Sequence, residues 1–213
     1  MVSLSKVIRP LKVTFSYLFK RPFTVMYPKE TLQPAERYRG IIQNDINRCI
    51  GCGACVLACP NQTLELMARE IDVDLDFTNP KSKMRMRPAL DLGRCLYCGL
   101  CVEACPTRSL TLSKEYSVIS MNRVDMLYTP EELAREKRLP VKERIRRFMG
   151  YYLLPKAFGG KYEKELMKLT EEYRAVVSKY GKKEITKEER DRLLSELEEK
   201  MFEVIREFGV EGI

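Results

Sequence analysis

Eight cysteines are the residues of this chain with the clearest capacity for chemistry, and they fall in two runs of identical spacing. Both runs read C-x2-C-x2-C-x3-C-P, and no cysteine lies outside them. The runs consist of Cys49, Cys52, Cys55 and Cys59 before Pro60, and of Cys95, Cys98, Cys101 and Cys105 before Pro106. This spacing is typical of chains that ligate two [4Fe–4S] clusters, in which each iron takes one thiolate. The cysteines therefore predict two such clusters and the transfer of single electrons.

The spacing also predicts how the cysteines divide between the clusters. The first three cysteines of a run wrap one face of a cluster, whereas the fourth ligates the other cluster. We therefore expect cluster one to be bound by Cys49, Cys52, Cys55 and Cys105, and cluster two by Cys95, Cys98, Cys101 and Cys59. Gly53 and Gly99 lie inside the loops, where a backbone without a side chain can turn freely and direct N–H groups at the sulfurs.

Other uses of these cysteines fit the pattern less well. Structural zinc usually takes two C-x2-C pairs separated by a longer arm. Cluster thiolates indicate a reducing compartment, the cytoplasm, so disulfides are not expected. The chain contains no histidine, which excludes a Rieske centre and acid–base catalysis by histidine. We therefore expect an electron relay with no catalytic residue and no substrate site of its own.

The residues around the two runs repeat as well. Residues 48–60 align with residues 94–106, and Leu64 and Leu66 match Leu110 and Leu112. An internal duplication with pseudo-twofold symmetry is the simplest interpretation. Apolar residues of the runs are expected to form a dry shell around the clusters, namely Ile50, Val56, Leu96, Leu100 and Val102.

The flanking segments predict three parts: residues 1–40 as an amphipathic helix and linker, 41–112 as the cluster domain, and 113–213 as a mostly helical extension that docks on other subunits. Of the formal charge of +8, the first 48 residues contribute most, with nine Lys and Arg against three Asp and Glu. The stretch from 49 to 112 has seven of each sign, which argues against nucleic-acid binding.

The N-terminal part predicts a helix with one apolar face. Its stripe consists of Val7, Leu11, Phe15, Leu18 and Phe19, at the spacing of an amphipathic helix. Pro10 is expected in the first turn and Pro22 after the last. Such a helix either packs on its own domain or lies on a membrane surface or membrane subunit, and the basic flank favours the membrane. No segment is apolar over the length of a membrane span, and no secretory signal opens the chain.

The extension predicts two long helices. One carries an apolar stripe from Tyr162 to Tyr180 and ends at Gly181, and the other carries a stripe from Leu194 to Phe208. Thr129 and Thr186 each precede a glutamate by three residues, as in a capping box. The hairpin of these two helices either closes on itself or docks on a partner. The basic, aromatic stretch 142–161 has three open interpretations: contact with lipid, with a neighbour, or with nothing.

Between the cysteine runs, alternation over residues 71–87 predicts a β-hairpin.

Taken together, these motifs resemble the two-cluster ferredoxin-like subunit of respiratory complex I, the NuoI family. They are equally similar to the homologous subunit of archaeal membrane-bound hydrogenases and sulfane-sulfur reductases. The resemblance rests on both cysteine runs together with the stretches 20–28 (KRPFTVMYP) and 37–40 (RYRG), and it covers about residues 1–128. The extension is longer than the family pattern.

The resemblance implies a fold, a place and a set of partners. The fold would be α+β, a bacterial-type two-cluster ferredoxin with an N-terminal amphipathic helix and a helical C-terminal extension. The chain would relay electrons in the peripheral arm of a membrane-bound oxidoreductase, on the cytoplasmic side of the membrane, between neighbouring iron–sulfur subunits and beside a membrane subunit. The alternative is a free or soluble-complex ferredoxin, although diffusible ferredoxins tend to be small and acidic, whereas this chain is basic.

Overall fold

A computed structural model describes residues 4–21, 23–68, 86–135, 139–182 and 184–210, and it combines helices with two small antiparallel sheets. The helices are α1 (Leu4–Leu18), α2 (Ala54–Leu57), α3 (Leu100–Glu103), α4 (Pro130–Leu133), α5 (Val141–Phe148), α6 (Leu153–Phe158), α7 (Gly160–Gly181) and α8 (Lys187–Glu207). The strands are β1 (Ile42–Asn44), β2 (Leu64–Ala68), β3 (Met86–Asp91), β4 (Leu110–Leu112) and β5 (Leu127–Tyr128). The predicted mixture of α and β structure is therefore confirmed.

Residues 1–35 and 36–213 form two separate compact units. In the first unit, α1 confirms the predicted helix, and its side chains Leu11, Phe15 and Leu18 are exposed. Pro10 lies inside this helix rather than in its first turn, so that expectation was wrong. The helix begins upstream of the predicted stripe, and on an exposed helix water can satisfy the carbonyl that proline leaves unpaired. The side chain of Val7 and all of Pro22 lie outside the described residues.

In the second unit, the two sheets show the predicted internal repeat. β1 pairs with β4 so that Ile42 lies opposite Leu112, and β2 pairs with β3 so that Leu66 lies opposite Pro88. Ile42 lies 46 residues before Pro88, and Leu66 lies 46 residues before Leu112, which is also the separation of Cys49 from Cys95. The two strand pairs thus have the same register, and the duplication is confirmed at the level of the backbone. The predicted hairpin falls mostly on residues 71–85, which lie outside the described residues.

Two hydrophobic cores lie on opposite faces of the sheet β2–β3–β5. The cysteine-side core contains Leu64 and Leu90 together with Cys55 and Cys101. The helix-side core contains Met67 and Ala89 from the same two strands and covers them with α5 to α8. Neighbouring residues of a strand point to opposite faces, which is why Ala89 and Leu90 enter different cores.

The extension has the helices that the sequence predicts. Thr129 caps α4 in a reciprocal capping box with Glu132, and the Thr186 hydroxyl accepts the Glu189 N–H at the start of α8. The apolar stripes are partly buried inside the unit: Leu166 on α7 and Met201 and Ile205 on α8 belong to the helix-side core. Leu197 is buried as well, whereas Phe208 is exposed. Docking of the extension on another subunit stays a prediction.

Part of the basic, aromatic stretch 142–161 packs into the interior of its own unit, while contact of its exposed residues with lipid or with a neighbour stays a prediction. Arg144 is 1% exposed and forms ion pairs with Asp125 and Glu132, both at 2.6 Å. Phe148 is fully buried, and the Tyr151 hydroxyl accepts the N–H of Ala68 at 3.2 Å. These contacts attach the helices to the back of the sheet.

Candidate iron–sulfur centres

Two cavities lie on the cysteine side of the second unit, and each is lined by four cysteines. The first cavity, with an open volume of about 310 Å³, is lined by Cys49, Cys52, Cys55 and Cys105. The second, of about 320 Å³, is lined by Cys59, Cys95, Cys98 and Cys101. Each cavity thus receives three cysteines from one run and the fourth from the other. This is the grouping that the spacing predicts, while iron ligation by these residues stays a prediction.

The donor set of each cavity suits a [4Fe–4S] cluster. All eight cysteines are free thiols, and a cubane needs one thiolate at each of four corners. Among the residues that the structure describes, no three Cys, Asp or Glu side chains are placed to hold a single metal ion. A cubane, in contrast, spreads its ligands around a cavity.

Each loop turns at a glycine before it enters a short helix. Gly53 and Gly99 both have φ of 80° and ψ of 0°, and they precede α2 and α3 respectively. This left-handed conformation favours glycine. A Cβ at either position would also lie 3.4 Å from a leucine methyl, that of Leu66 or Leu112. The turns place Cys55 and Cys101, both buried, on the two helices.

Hydroxyl groups contact the sulfurs of Cys59 and Cys105, the last cysteine of each run. The Cys59 Sγ lies 3.1 Å from the Thr63 hydroxyl and accepts the Thr63 N–H at 3.3 Å. The Cys105 Sγ lies 3.2 Å from the Ser109 hydroxyl and 3.6 Å from that of Thr107. The sequence reasoning missed these hydroxyls, although a hydroxyl residue four positions after the last cysteine of both runs was the available signal. Hydrogen bonds to ligand sulfurs tune the potential of a cluster.

The thiols differ in how readily they ionise. Burial, reinforced by the nearby Cys49 and Cys101, raises the pKa of Cys55 to about 12, and burial likewise raises that of Cys101 to about 11. For Cys105, burial also acts to raise the pKa, but the hydrogen bonds of Ser109, Leu110 and Thr107 together outweigh it and lower the pKa to about 6. Metal binding requires deprotonated thiols, so the buried pair need a cation beside them, whereas Cys105 is prepared for ligation by its hydrogen bonds.

The expected dry shell is only partly present. Val56 and Val102 pack against the cysteine-side core. Ile50 and Leu96 each line a cavity but are exposed, and Leu100 is 44% exposed. The expectation was therefore wrong for these three residues, because the loops lie at the surface of the unit and only the side chains on their inner face are covered by other elements.

Comparison with known proteins gives the class of the site. Residues 48–109 match the family of 4Fe-4S dicluster domains. The chain therefore carries an iron–sulfur domain for two [4Fe–4S] clusters, and the predicted cofactors are confirmed.

The similar proteins point to a more specific group than this domain family. The chain is 44% identical over 133 residues to NAD(P)H-quinone oxidoreductase subunit I of Synechocystis sp., a match that covers 62% of this chain and 64% of the relative. It is 52% identical over 54 residues to the protein of the same name from Prochlorococcus marinus, over 25% of either chain. The resemblance to this subunit that the sequence predicts is confirmed, and the chain spans less than two thirds of the length of these relatives.

A solved structure shows a further similarity. One chain of the membrane-bound sulfane sulfur reductase, an archaeal respiratory membrane complex, is 29% identical, with a TM-score of 0.41 over 66% of this chain and 68% of that chain. Within the described ranges, no helix is both long enough and apolar enough to cross a membrane.

Proposed function

We propose that this chain is an electron-transfer subunit of a complex I-like, membrane-bound oxidoreductase. It would relay single electrons through two [4Fe–4S] clusters in the peripheral arm of that complex. The observation that carries the proposal is the pair of cavities, each lined by three cysteines of one run and one of the other, in a chain homologous to oxidoreductase subunit I. When bound, the clusters supply one-electron oxidation and reduction.

The ligands of cluster one would be Cys49, Cys52, Cys55 and Cys105, and those of cluster two Cys95, Cys98, Cys101 and Cys59. The placement of Cys59 and Cys105 supports this exchange of the fourth ligand. The sulfur of each contacts a hydroxyl four residues further along the chain, that of Thr63 or Ser109. Each of the two cysteines nevertheless lines the cavity formed by the other run. The fold of this part would be that of a bacterial-type two-cluster ferredoxin, which agrees with the shared register of the two strand pairs.

The other residues of the chain would orient the thiols and exclude water on the inner side. Leu66 and Pro88 close the inner wall of the first cavity, and Ile42 and Leu64 close that of the second. The outer side is formed by Ile50 and Leu96, which are exposed. Exposed apolar side chains beside a redox centre suit electron exchange with neighbouring iron–sulfur subunits, because a partner that covers them would also bring its own centre close.

The N-terminal unit would attach the chain to the cytoplasmic side of the cell membrane as a peripheral subunit. Large apolar side chains, among them Leu11, Phe15 and Leu18, are exposed on α1. The segment around them is basic, a combination that favours the interface of an anionic membrane or a membrane subunit.

The test is purification of the tagged full-length chain from native membranes under anaerobic conditions. The proposal predicts co-purification with iron–sulfur and membrane subunits, and about eight irons for each copy of the chain. A lone soluble chain with the same iron content would instead make it a diffusible ferredoxin. A chain without iron would overturn the cluster assignment as well.

The membrane contact has its own matched pair of variants. Replacing Phe15 and Leu18 with serine should release the complex, or the chain, from membranes at a salt concentration that leaves the wild type bound. Ser16→Ala lies on the same helix and removes only a hydroxyl that binds the Val13 carbonyl at 2.7 Å, so it should leave attachment unchanged. Equal behaviour of both variants would contradict a role of α1 at the membrane.

A further inference from the structure

Arg39 binds the loop of cluster two from outside the cysteine runs. Its Nη1 donates a hydrogen bond of 2.7 Å to the carbonyl oxygen of Cys98. Cys98 lies 59 residues further along the chain and lines the second cavity. The guanidinium of arginine is always charged and keeps its donors in a fixed planar arrangement. The contact therefore places a permanent positive charge against the backbone of a proposed ligand.

The backbone around Arg39 is fixed on both sides. Tyr38 packs edge-to-face on Tyr116, with ring centroids 6.3 Å apart. Gly40 donates its N–H to the carbonyl of Ser113 at 3.0 Å. A Cβ at Gly40 would collide with the carbonyl oxygens of Ser113 and Glu115. The chain can approach this closely only because residue 40 is glycine.

The same pairing continues into the sheet beside the cavities. Ile41 donates to the carbonyl of Glu115 at 3.2 Å, and Ser113 donates to the carbonyl of Ile41 at 2.9 Å. These bonds extend the β1–β4 pair by one step. Arg39 is thus carried on a segment anchored to the sheet, and its position does not depend on the single hydrogen bond to Cys98.

We propose that Arg39 is a positioning residue for cluster two, which holds the Cys98 loop in place and raises the reduction potential of that cluster. Reduction adds one negative charge to the cluster, and a fixed positive charge nearby favours the reduced form. Arg39 is exposed, so water and salt weaken the interaction without abolishing it. The inference rests on the proposed ligand set, because it requires Cys98 to ligate cluster two.

The test is a redox titration of both clusters by electron paramagnetic resonance in the full chain. The two signals are assigned first with Cys101→Ser, which removes a ligand of cluster two. Arg39→Gln should reduce the ratio of reduced to oxidised cluster two at the wild-type midpoint about threefold, a shift of about 28 mV for one electron. Arg39→Lys, which keeps the charge, should shift it less, and cluster one should stay unchanged in both variants.

The matched control is Arg37→Gln, which removes an exposed charge two residues earlier. It should leave both potentials unchanged. An unchanged cluster-two potential in Arg39→Gln, or an equal shift in the control, would overturn the inference.

Two further outcomes are decisive. If Arg39→Gln retains only one cluster, the cluster lost must be cluster two, and loss of cluster one would refute the positioning role. If the wild-type chain itself holds fewer than two clusters, the proposed function fails, and that result is seen before any variant is compared.

Discussion

Arg144 offers the sharpest test of how the helical extension is attached to the cluster-bearing sheet. Its side chain is 1% exposed and binds Asp125 Oδ1 and Glu132 Oε1 at 2.6 Å and the carbonyl of Leu139 at 2.9 Å. Arg144→Met keeps much of the apolar stem but removes the cation. The carboxylate of Glu132, itself only 4% exposed, would then be buried without a cation and would keep only the hydrogen bonds from the N–H groups of Thr129 and Leu139.

The magnitude follows from the burial of the three groups. Removing one partner of a buried ion pair typically costs about 3–5 kcal/mol, because the other charge stays buried and uncompensated. Asp125 is 20% exposed and can be reached by water, so we expect a value near the lower end, about 3 kcal/mol. At about 2–4 °C per kcal/mol for a unit of this size, the melting temperature should fall by roughly 6–12 °C.

The assay is thermal melting of the anaerobic, cluster-loaded protein, followed by far-ultraviolet circular dichroism at one fixed scan rate because cluster loss makes unfolding irreversible. Arg146→Met is the matched control on the same helix. Arg146 is 56% exposed and lies 3.7 Å from Glu198, so its loss should cost less than about 1 kcal/mol. Equal shifts in the two variants, or an unchanged melting temperature in Arg144→Met, would refute the reasoning.

Three other predictions concern the centres and the sheet behind them. Cys59→Ser should abolish the spectroscopic signal of cluster two and spare cluster one, and Cys105→Ser should do the reverse; loss of the cluster bound by the same run would contradict the crossed ligation. Ser109→Ala should lower the potential of cluster one by about 40 mV, since about 1 kcal/mol of hydrogen bonding favours the reduced form, whereas Thr63→Ala should act on cluster two; a redox titration in which both variants move the same cluster would rule this out. Burial raises the pKa of Glu65 above the ordinary value of 4.5, although the N–H groups at the start of α6 act against it. Because the folded state binds this proton more tightly than the unfolded chain, stability falls as the pH rises through the interval above 4.5. Glu65→Gln should therefore gain stability over the wild type in that interval and not below it, and a difference independent of pH would show that the titration of Glu65 is not the cause.

The cysteine pattern predicted the site better than any other feature, for a geometric reason. A cluster dictates the spacing of its ligands, so the grouping of Cys105 with Cys49 and of Cys59 with Cys95 can be inferred without a structure. The duplication was visible for the same reason, since both halves satisfy the same constraint. The long helices α7 and α8 were predictable from apolar spacing and from the N-cap at Thr186.

Features that depend on contacts distant in the sequence could not be predicted. Nothing in the sequence distinguishes Arg144 from an exposed basic residue, because only the fold brings Asp125 and Glu132 to it. The hydrogen bond from Arg39 to Cys98 is equally invisible in the sequence. Ile50 was expected in a dry shell because it is apolar and next to a cysteine. Its exposure, however, depends on which side of the loop faces other elements, and the local sequence does not determine that side.

The sheet β2–β3–β5 explains why the extension forms part of the same unit as the centres. Residues of one parity, such as Leu66 and Pro88, face the first cavity, and residues of the other parity, such as Met67 and Ala89, face the helices. Without α5 to α8, the second face would expose the apolar side chains of both strands to water. The buried residues of α7 and α8, such as Leu166, Met201 and Ile205, thus belong to the core behind the sheet. These buried side chains are not available to a partner, whereas the exposed apolar side chains of Ile50 and Leu96 lie beside the cavities.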